Sequence, residues 1–428
     1  MARLSEPDPE GTPAWPVRIP VSLFRSGRGR FAHELVQSRS QTKQSNEQET
    51  DMMTEMKSTA TGPTALGFIR ILDLSESIAG QFCCRMLADY GADVTLVEPP
   101  SGSVTRKLGP FRDHTAEPPE SLLFEHLNLG KSSVVVDQTT ALGRDLLRDL
   151  ARAADVVVVP VGVDRAALRD ASPNCIIAIV SPFGEGTPKS HWRGTEMIFQ
   201  AMSGMMIHNG RHDREPLYGV GNRASYCAGV AAYSSILAAL MVRARTGVAQ
   251  EVAIDIAHVA ASMTYPFALQ HSYNGSFEER GMRGQPLIEV KSRDGWIAIW
   301  IRANHFPVVC DVLGMPEMVT DPRFAADADR KANFQQFVAE VQKRVADRIG
   351  TEIVKALQAR RVVSACCFQP NQLGPETEHL KVRDFWHVMQ TDAGPRLALG
   401  PQFRMSLTPR RSPTPAPALG AARGAGAR

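Results

Sequence analysis

The sequence holds no CxxC pair and no Cys/His cluster at zinc-ligand spacing, so nothing in it points to a metal site. Its seven cysteines are an odd set: two adjacent pairs, Cys83-Cys84 and Cys366-Cys367, and three singles. They read as buried thiols of a reduced, cytoplasmic protein rather than as a disulfide framework. Neither sign of charge dominates. Lys and Arg number 48, Asp and Glu 45, for a net charge of +3, and charge alone implies no nucleic-acid or membrane partner. No uninterrupted apolar run nears the roughly 20 residues of a membrane span. The N-terminal region has no apolar signal-peptide core. Internal repeats, a phosphate-binding Walker loop, a GxSxG elbow and metal motifs are all missing.

What remains is ordinary in bulk and patterned in detail. The 428 residues are 43% hydrophobic and 22% charged, enough for two domains or one with an insertion. Residues 1–64 are polar and without periodicity, and are expected to be disordered; Met52, Met53 and Met56 stand near the end of this segment as alternative translation starts. From there the pattern is α/β. Arg70–Ser75, Asp93–Glu98, Ser133–Asp137, Asp155–Val159, Cys175–Val180 and Val252–Ile256 read as apolar strands. Helical spacing runs over Ala79–Tyr90 and Leu142–Ala153, with Gly91 as a helix stop. Strands alternating with helices predict a parallel, doubly wound sheet, whose ligands bind beyond the carboxyl ends of its strands. A long segment after Tyr226 is apolar or small on every face and predicts a helix buried on all sides, ended by Gly247. Residues 283–360 read as a smaller unit, strand-rich from Glu289 to Ile301 and then helical. The Pro- and Gly-rich end after about Thr408 is expected to be extended or mobile.

Several segments, in order, resemble one family. They are Ile71-Leu-Asp-Leu-Ser75 with Ala79-Gly80; Leu87-Ala-Asp-Tyr-Gly-Ala-Asp-Val94; Val97-Glu-Pro-Pro100 with Thr105-Arg106; and Gly247-Val-Ala-Gln-Glu-Val-Ala-Ile-Asp255. Asp294-Gly295, Asp321-Pro-Arg-Phe324 and Gly400-Pro-Gln-Phe-Arg-Met-Ser-Leu-Thr-Pro409 complete the set. Together they resemble the family III CoA-transferases (CaiB/BaiF), over roughly Leu66 to Gly420. The resemblance implies a Rossmann-like large domain built from both chain ends (65–270 and 371–410) and a small α+β domain inserted at 271–370, followed by a flexible tail at 411–428. It implies interlocked dimers, as a homodimer or a heteromer with a paralogous subunit. It also implies coenzyme A or acyl-CoA as substrate, exchanged between carboxylic acids, with no metal. By the same resemblance Arg106 and Lys131 lie in segments that contact CoA phosphates; a solvated surface charge is the alternative for each. Ala79 and Gly80 would let backbone amides approach an anionic or thioester group, or would serve tight helix packing. Asp73 reads as structural.

The family's chemistry needs a carboxylate nucleophile. It attacks the thioester to give a mixed anhydride, and CoA thiolate then attacks the enzyme's own carbonyl, leaving an aspartyl-CoA thioester. An ungapped count places that aspartate at Ser225, which reads as a helix N-cap. The His-Asp pair of the racemase variant maps to Thr195 and Glu196. Glu196 is expected to be a first-turn helix acid; one extra methylene is not expected to bridge to the Ser225 segment. The turn at Pro160-Val-Gly-Val163 and Ser132 also depart from the family pattern. Three possibilities remain: a subunit paired with an Asp-bearing paralogue, as in heteromers such as benzylsuccinate CoA-transferase; a self-sufficient transferase using Glu196 or Ser225; and a non-catalytic CoA-binding protein.

Overall fold

In a computed structural model, the described residues are 64–113, 119–210, 213–276, 287–391, 394–400 and 402–421. The polar segment expected to be disordered, and its three methionines, lie almost wholly outside them. Six strands, β1 (Arg70–Asp73), β2 (Asp93–Glu98), β3 (Ser132–Val135), β4 (Val156–Val159), β5 (Ile176–Ser181) and β6 (Glu251–Asp255), form one parallel sheet in the order β3-β2-β1-β4-β5-β6. β4 and β5 are buried along their whole length, because helices cover both faces.

The crossovers are α1 (Ile78–Asp89), α2 (Leu122–Asn128), α3 (Ala141–Arg152) and α4 (Arg165–Ala171). They are followed by α5 (Glu196–Met202), α6 (Arg223–Thr246), α7 (Ile256–Ser262) and α8 (Tyr265–Asn274). The period of two divides the strands between two cores. Ile71, Val156 and Val158 face α1 and α6, whereas Leu72, Val157 and Val159 face α3 and α4. Strand order reverses between β1 and β4, which pair directly. The turns leaving them, Leu74–Ser77 and Pro160–Val163, meet at the position where sheets of this order bind ligands.

A separate antiparallel sheet, β7 (Leu287–Ser292), β8 (Gly295–Trp300) and β9 (Ser364–Cys366), shares its own core with α9 (Phe306–Leu313), α11 (Phe334–Val345) and α12 (Gly350–Ala359), while α10 (Asp327–Ala332) buries no residue. After α13 (Glu378–Val382), a hairpin of β10 (Trp386–Thr391) and β11 (Gly394–Leu399) leads to the last described segment.

Two expectations are corrected here. The first concerns α6, which is not buried on all sides. Ala224, Ala228, Gly229, Ala232, Ile236 and Ala239 are buried, but Val230, Met241 and Val242 are exposed. The helix is also long and apolar enough to cross a membrane by length and composition; counting only uninterrupted apolar residues missed this. The second concerns the flexible tail expected at 411–428: through residue 421 the chain is extended, as one reading had it, but docked. Arg411 N–H donates to Asp89 O (2.9 Å), Gly130 N–H to Thr414 O (3.0 Å), Ser133 N–H to Ala421 O (3.0 Å), and Gly420 N–H to Ser133 Oγ (3.0 Å). An extended Pro-rich chain leaves its carbonyls open, and donors of the sheet edge take them.

Candidate active site

The N-terminus of α6 carries free backbone amides and the positive end of the helix dipole. Its N-cap residue, Asn222, makes no side-chain cap. The cap comes from another helix. Glu196, the first residue of α5, reaches across and takes four hydrogen bonds. Its Oε1 accepts from Ala224 N–H (2.7 Å) and Gln200 Nε2 (2.9 Å). Its Oε2 accepts from Ser225 N–H (3.1 Å) and Ser225 Oγ (2.7 Å). Gln200 is buried, and its Oε1 accepts from Gly219 N–H at 2.9 Å, so it fixes Glu196 against the chain entering α6.

This corrects two expectations. Ser225 is not the N-cap: it lies inside the first turn, and its hydroxyl is a donor to Glu196. Nor is Glu196 too short to meet Ser225. The side chains touch, 29 residues apart in sequence, because α5 and α6 pack together. Glu196 does occupy the first turn of its helix, as expected. Nothing local in the sequence signals Gln200's part.

A carboxylate with both oxygens engaged twice is a good cap and a poor nucleophile, since each lone pair is already directed at a proton. The Ser225 hydroxyl has no histidine to take its proton: its partner is the carboxylate, and no His contact to it is present among the described residues. Burial, and then the Glu196 charge, push the nearby Cys227 thiol up, which disfavours a thiolate two residues beyond Ser225.

The other expected site residues form a buried network. The Lys131 ammonium is fully buried and donates to Asp73 Oδ2 (2.8 Å), Asn128 Oδ1 (2.8 Å) and Gln81 O (2.9 Å). All three of its donors are spent, so a phosphate would have to displace one. Asp73 is structural, as read: it also accepts from Ser75 Oγ (2.6 Å) and Ser75 N–H (3.0 Å). Arg106 grips Glu98 with Nε (2.7 Å) and Nη2 (2.8 Å), donates to Pro417 O (2.9 Å) and lies over the Phe124 ring. Burial alone would raise the Glu98 carboxyl, but hydrogen bonds from Arg106, Ser133 and Ser103 outweigh it and hold the group below its ordinary value. Arg106 remains partly exposed, so one edge of it faces solvent.

Ala79 and Gly80 lie in the first turn of α1. The Gly80 amide is taken by Ser77 Oγ at 3.1 Å, and a Cβ there would run into the Ser75 side chain. A Cβ on Gly229 of α6 would stand 2.8 Å from Ala79 O. The small residues thus let α1 close on the strand end below it and on α6 beside it. Among the described residues, no three His, Cys, Asp or Glu side chains gather as metal ligands. One feature that the sequence did not reveal is a cavity of about 760 Å³, lined by α1, α6, α7, His126 of α2, Phe385, Leu399, Gly400, Gln402 and Phe403.

The sequence profile of CoA-transferase family III matches residues 66–423. The chain belongs to this family. Among its relatives is the succinate–glutarate CoA-transferase of Agrobacterium fabrum, 28% identical over 83% of this chain and 93% of that one. The acetyl-CoA:oxalate CoA-transferase of Acetobacter aceti is 32% identical over 64% of this chain and 73% of that one. A solved CaiB/BaiF family protein from Brucella suis superposes with a TM-score of 0.76 at 26% identity, over 83% of this chain and 97% of that one. Family III enzymes use CoA thioesters as substrates, and this mixed α/β fold with its six-stranded parallel sheet has CaiB/BaiF family proteins as structural neighbours.

Proposed function

We propose that this chain is one subunit of a CoA-transferase acting on acyl-CoA and carboxylic acid pairs, and that a paralogous chain in the same assembly supplies the nucleophilic aspartate. The observation that carries this is the Ser225–Glu196 pair. A seryl ester at Ser225 would release CoA but leave no carbonyl of the enzyme for the thiolate to attack, so the enzyme–CoA thioester cannot form there. Glu196 is a carboxylate, but its lone pairs are committed to the α6 amides, Ser225 and Gln200. The apolar side of α6 left uncovered at Val230, Met241 and Val242 fits a chain that works with a partner. Relatives named for oxalate, succinate and glutarate favour a small acid as acceptor.

A second reading rests on one distance. Glu196 Oε2 lies 2.7 Å from Ser225 Oγ, so a carboxylate does stand beside the nucleophile's position, and Glu196 could attack if its cap opened. One experiment separates the two. The chain is purified alone and together with an Asp-bearing paralogue, incubated with acyl-CoA, and quenched with hydroxylamine. The subunit reading expects exchange, and the hydroxamate, only with the paralogue and only on the paralogue's aspartate. Full-rate exchange by the chain alone, with the label on Glu196, sinks it in favour of the second.

A further inference from the structure

Behind the cavity beside α6 lies a charge imbalance. Arg85, Asp89 and Arg410 are clustered, with side-chain exposures of 3%, 11% and 6%. Among the described residues, Asp89 is the one carboxylate within 4 Å of both guanidinium groups, 3.5 Å from Arg85 Nε and 4.0 Å from Arg410 Nη1. Both guanidinium groups also turn to one carbonyl, Leu399 O, from Arg85 Nη2 (3.1 Å) and Arg410 Nη1 (3.4 Å). That leaves Arg85 Nε, Arg410 Nε and Arg410 Nη2 buried without a hydrogen-bond acceptor.

A further carboxylate, Asp384, also acts on Arg410, but it is exposed and held by Arg404 Nη2 at 2.8 Å, and the two neighbouring histidines supply no anion. His126 accepts from Arg85 Nη1 at Nδ1 (2.8 Å), and burial, then Arg85, hold it down at about 3. His387 is lowered by burial and then by Arg410, and its Nε2 is also unpartnered. Among the described residues, one of the two buried guanidinium charges therefore has no buried carboxylate of its own. Folding does not tolerate that without a compensating role. Arg85 and Asp89 themselves line the cavity, whose other walls are mostly apolar: Phe82, Met86, Tyr226, Met263 and Phe403. Its volume suits a small organic ligand, and the combination of apolar walls with a few convergent polar groups is that of a ligand site.

We propose that this cavity binds an organic carboxylate with an apolar body, its carboxylate drawn to the Arg85 end and balanced by the charge of Arg410 behind it. A planar guanidinium matches a carboxylate in shape and charge. The proposal is independent of which chain carries the transferase nucleophile.

The test uses the full chain and two probes of equal shape, 4-phenylbutyrate and its uncharged amide, 4-phenylbutanamide, in calorimetric titrations. The acid should bind at least about tenfold more tightly than the amide. Arg410→Met should bring that ratio close to one. It should also raise the melting temperature of the unliganded protein, because it removes the unbalanced charge; a merely structural arginine would lower it. Asp89→Asn, which removes the competing carboxylate, should widen the acid's advantage and keeps the test open if Arg410→Met fails to fold. Equal binding of the two probes, binding of neither, or a cavity closed by a second copy in sedimentation with no probe uptake would each overturn the proposal.

Discussion

Replacing Lys131 with methionine separates a structural role from a phosphate-binding one. In the folded protein both Lys131 and Asp73 are fully buried, and the ammonium makes three hydrogen bonds of 2.8–2.9 Å. Methionine fills the same space, so little cavity forms. It leaves Asp73 Oδ2, Asn128 Oδ1 and Gln81 O without their donor, and Asp73 as a buried charge held only by Ser75 on its other oxygen. Removing one partner of a buried pair typically costs about 3–5 kcal/mol. In a chain of this size that corresponds to roughly 2 °C per kcal/mol, or ~6–10 °C in melting temperature. Differential scanning calorimetry reads it directly. Adding Asp73→Asn should recover about half or more of the loss, since the amide can still accept from Ser75 without a stranded charge. A Lys131→Met protein that melts within about 2 °C of the parent and loses only CoA affinity would refute this account and return Lys131 to the phosphate-binding role that family resemblance suggests.

Three further outcomes follow from the same geometry. Because His126 is held at about 3, against 6.5 for a free imidazole, the unfolded chain takes up a proton that the folded one does not. Its contribution is complete above about pH 6.5 and is lost as the pH falls, with a slope of about 1.4 kcal/mol per pH unit below pH 6; urea midpoints from pH 4 to 7 should show a shallower slope in His126→Gln. Gly229→Ala should lower stability by about 1–3 kcal/mol in chemical denaturation, since its methyl group would meet Ala79 O and the Phe82 ring at 2.8 and 2.9 Å. Truncation after Pro409 should expose Arg106 and the β3 edge, seen as faster amide exchange at Gly130 and Ser133, whose N–H groups now donate to Thr414 and Ala421.

Much of the fold was legible because its strands are buried on both faces and punctuated by Gly and Pro. β2 runs over Asp93–Glu98, as its pattern predicts, and α6 ends at Gly247 in the left-handed region. The start of α6 was misplaced, because Ser225 is a residue type that caps helices, whereas the helix already runs from Arg223. Its cap is Glu196, contributed from another helix, and a contact over 29 residues leaves no local mark. Lys131 shows a different limit. A motif can place a lysine near a phosphate, but only the packing reveals that its ammonium is already used by Asp73. A buried aspartate at the end of a parallel strand needs a cation, and that is the signal that could have found the pair. The docked C-terminal segment was hidden because composition reports what a chain lacks, not which donors lie across from its carbonyls.

The Ser225–Glu196 contact also decides how the missing nucleophile can be tested. Ser225→Asp alone would set a second carboxylate where a hydroxyl now lies 2.7 Å from Glu196 Oε2. Two carboxylates that close do not both ionise at neutral pH. One keeps a proton, and if the introduced side chain is the one that keeps it, it is no nucleophile. At an effective dielectric of about 20, two ionised carboxylates about 4 Å apart repel by about 4 kcal/mol. Ser225→Asp should therefore melt lower at pH 8 than at pH 5 relative to the parent. In the double variant with Glu196→Gln the penalty should disappear, because the amide oxygen still accepts from an α6 N–H while its NH₂ donates to the introduced carboxylate. Transfer activity, if the rest of the site is intact, should appear in the double variant before the single one. Identical pH dependence of melting in the two variants would show that the side chains are uncoupled, and with that the case for Glu196 as a committed cap would fall.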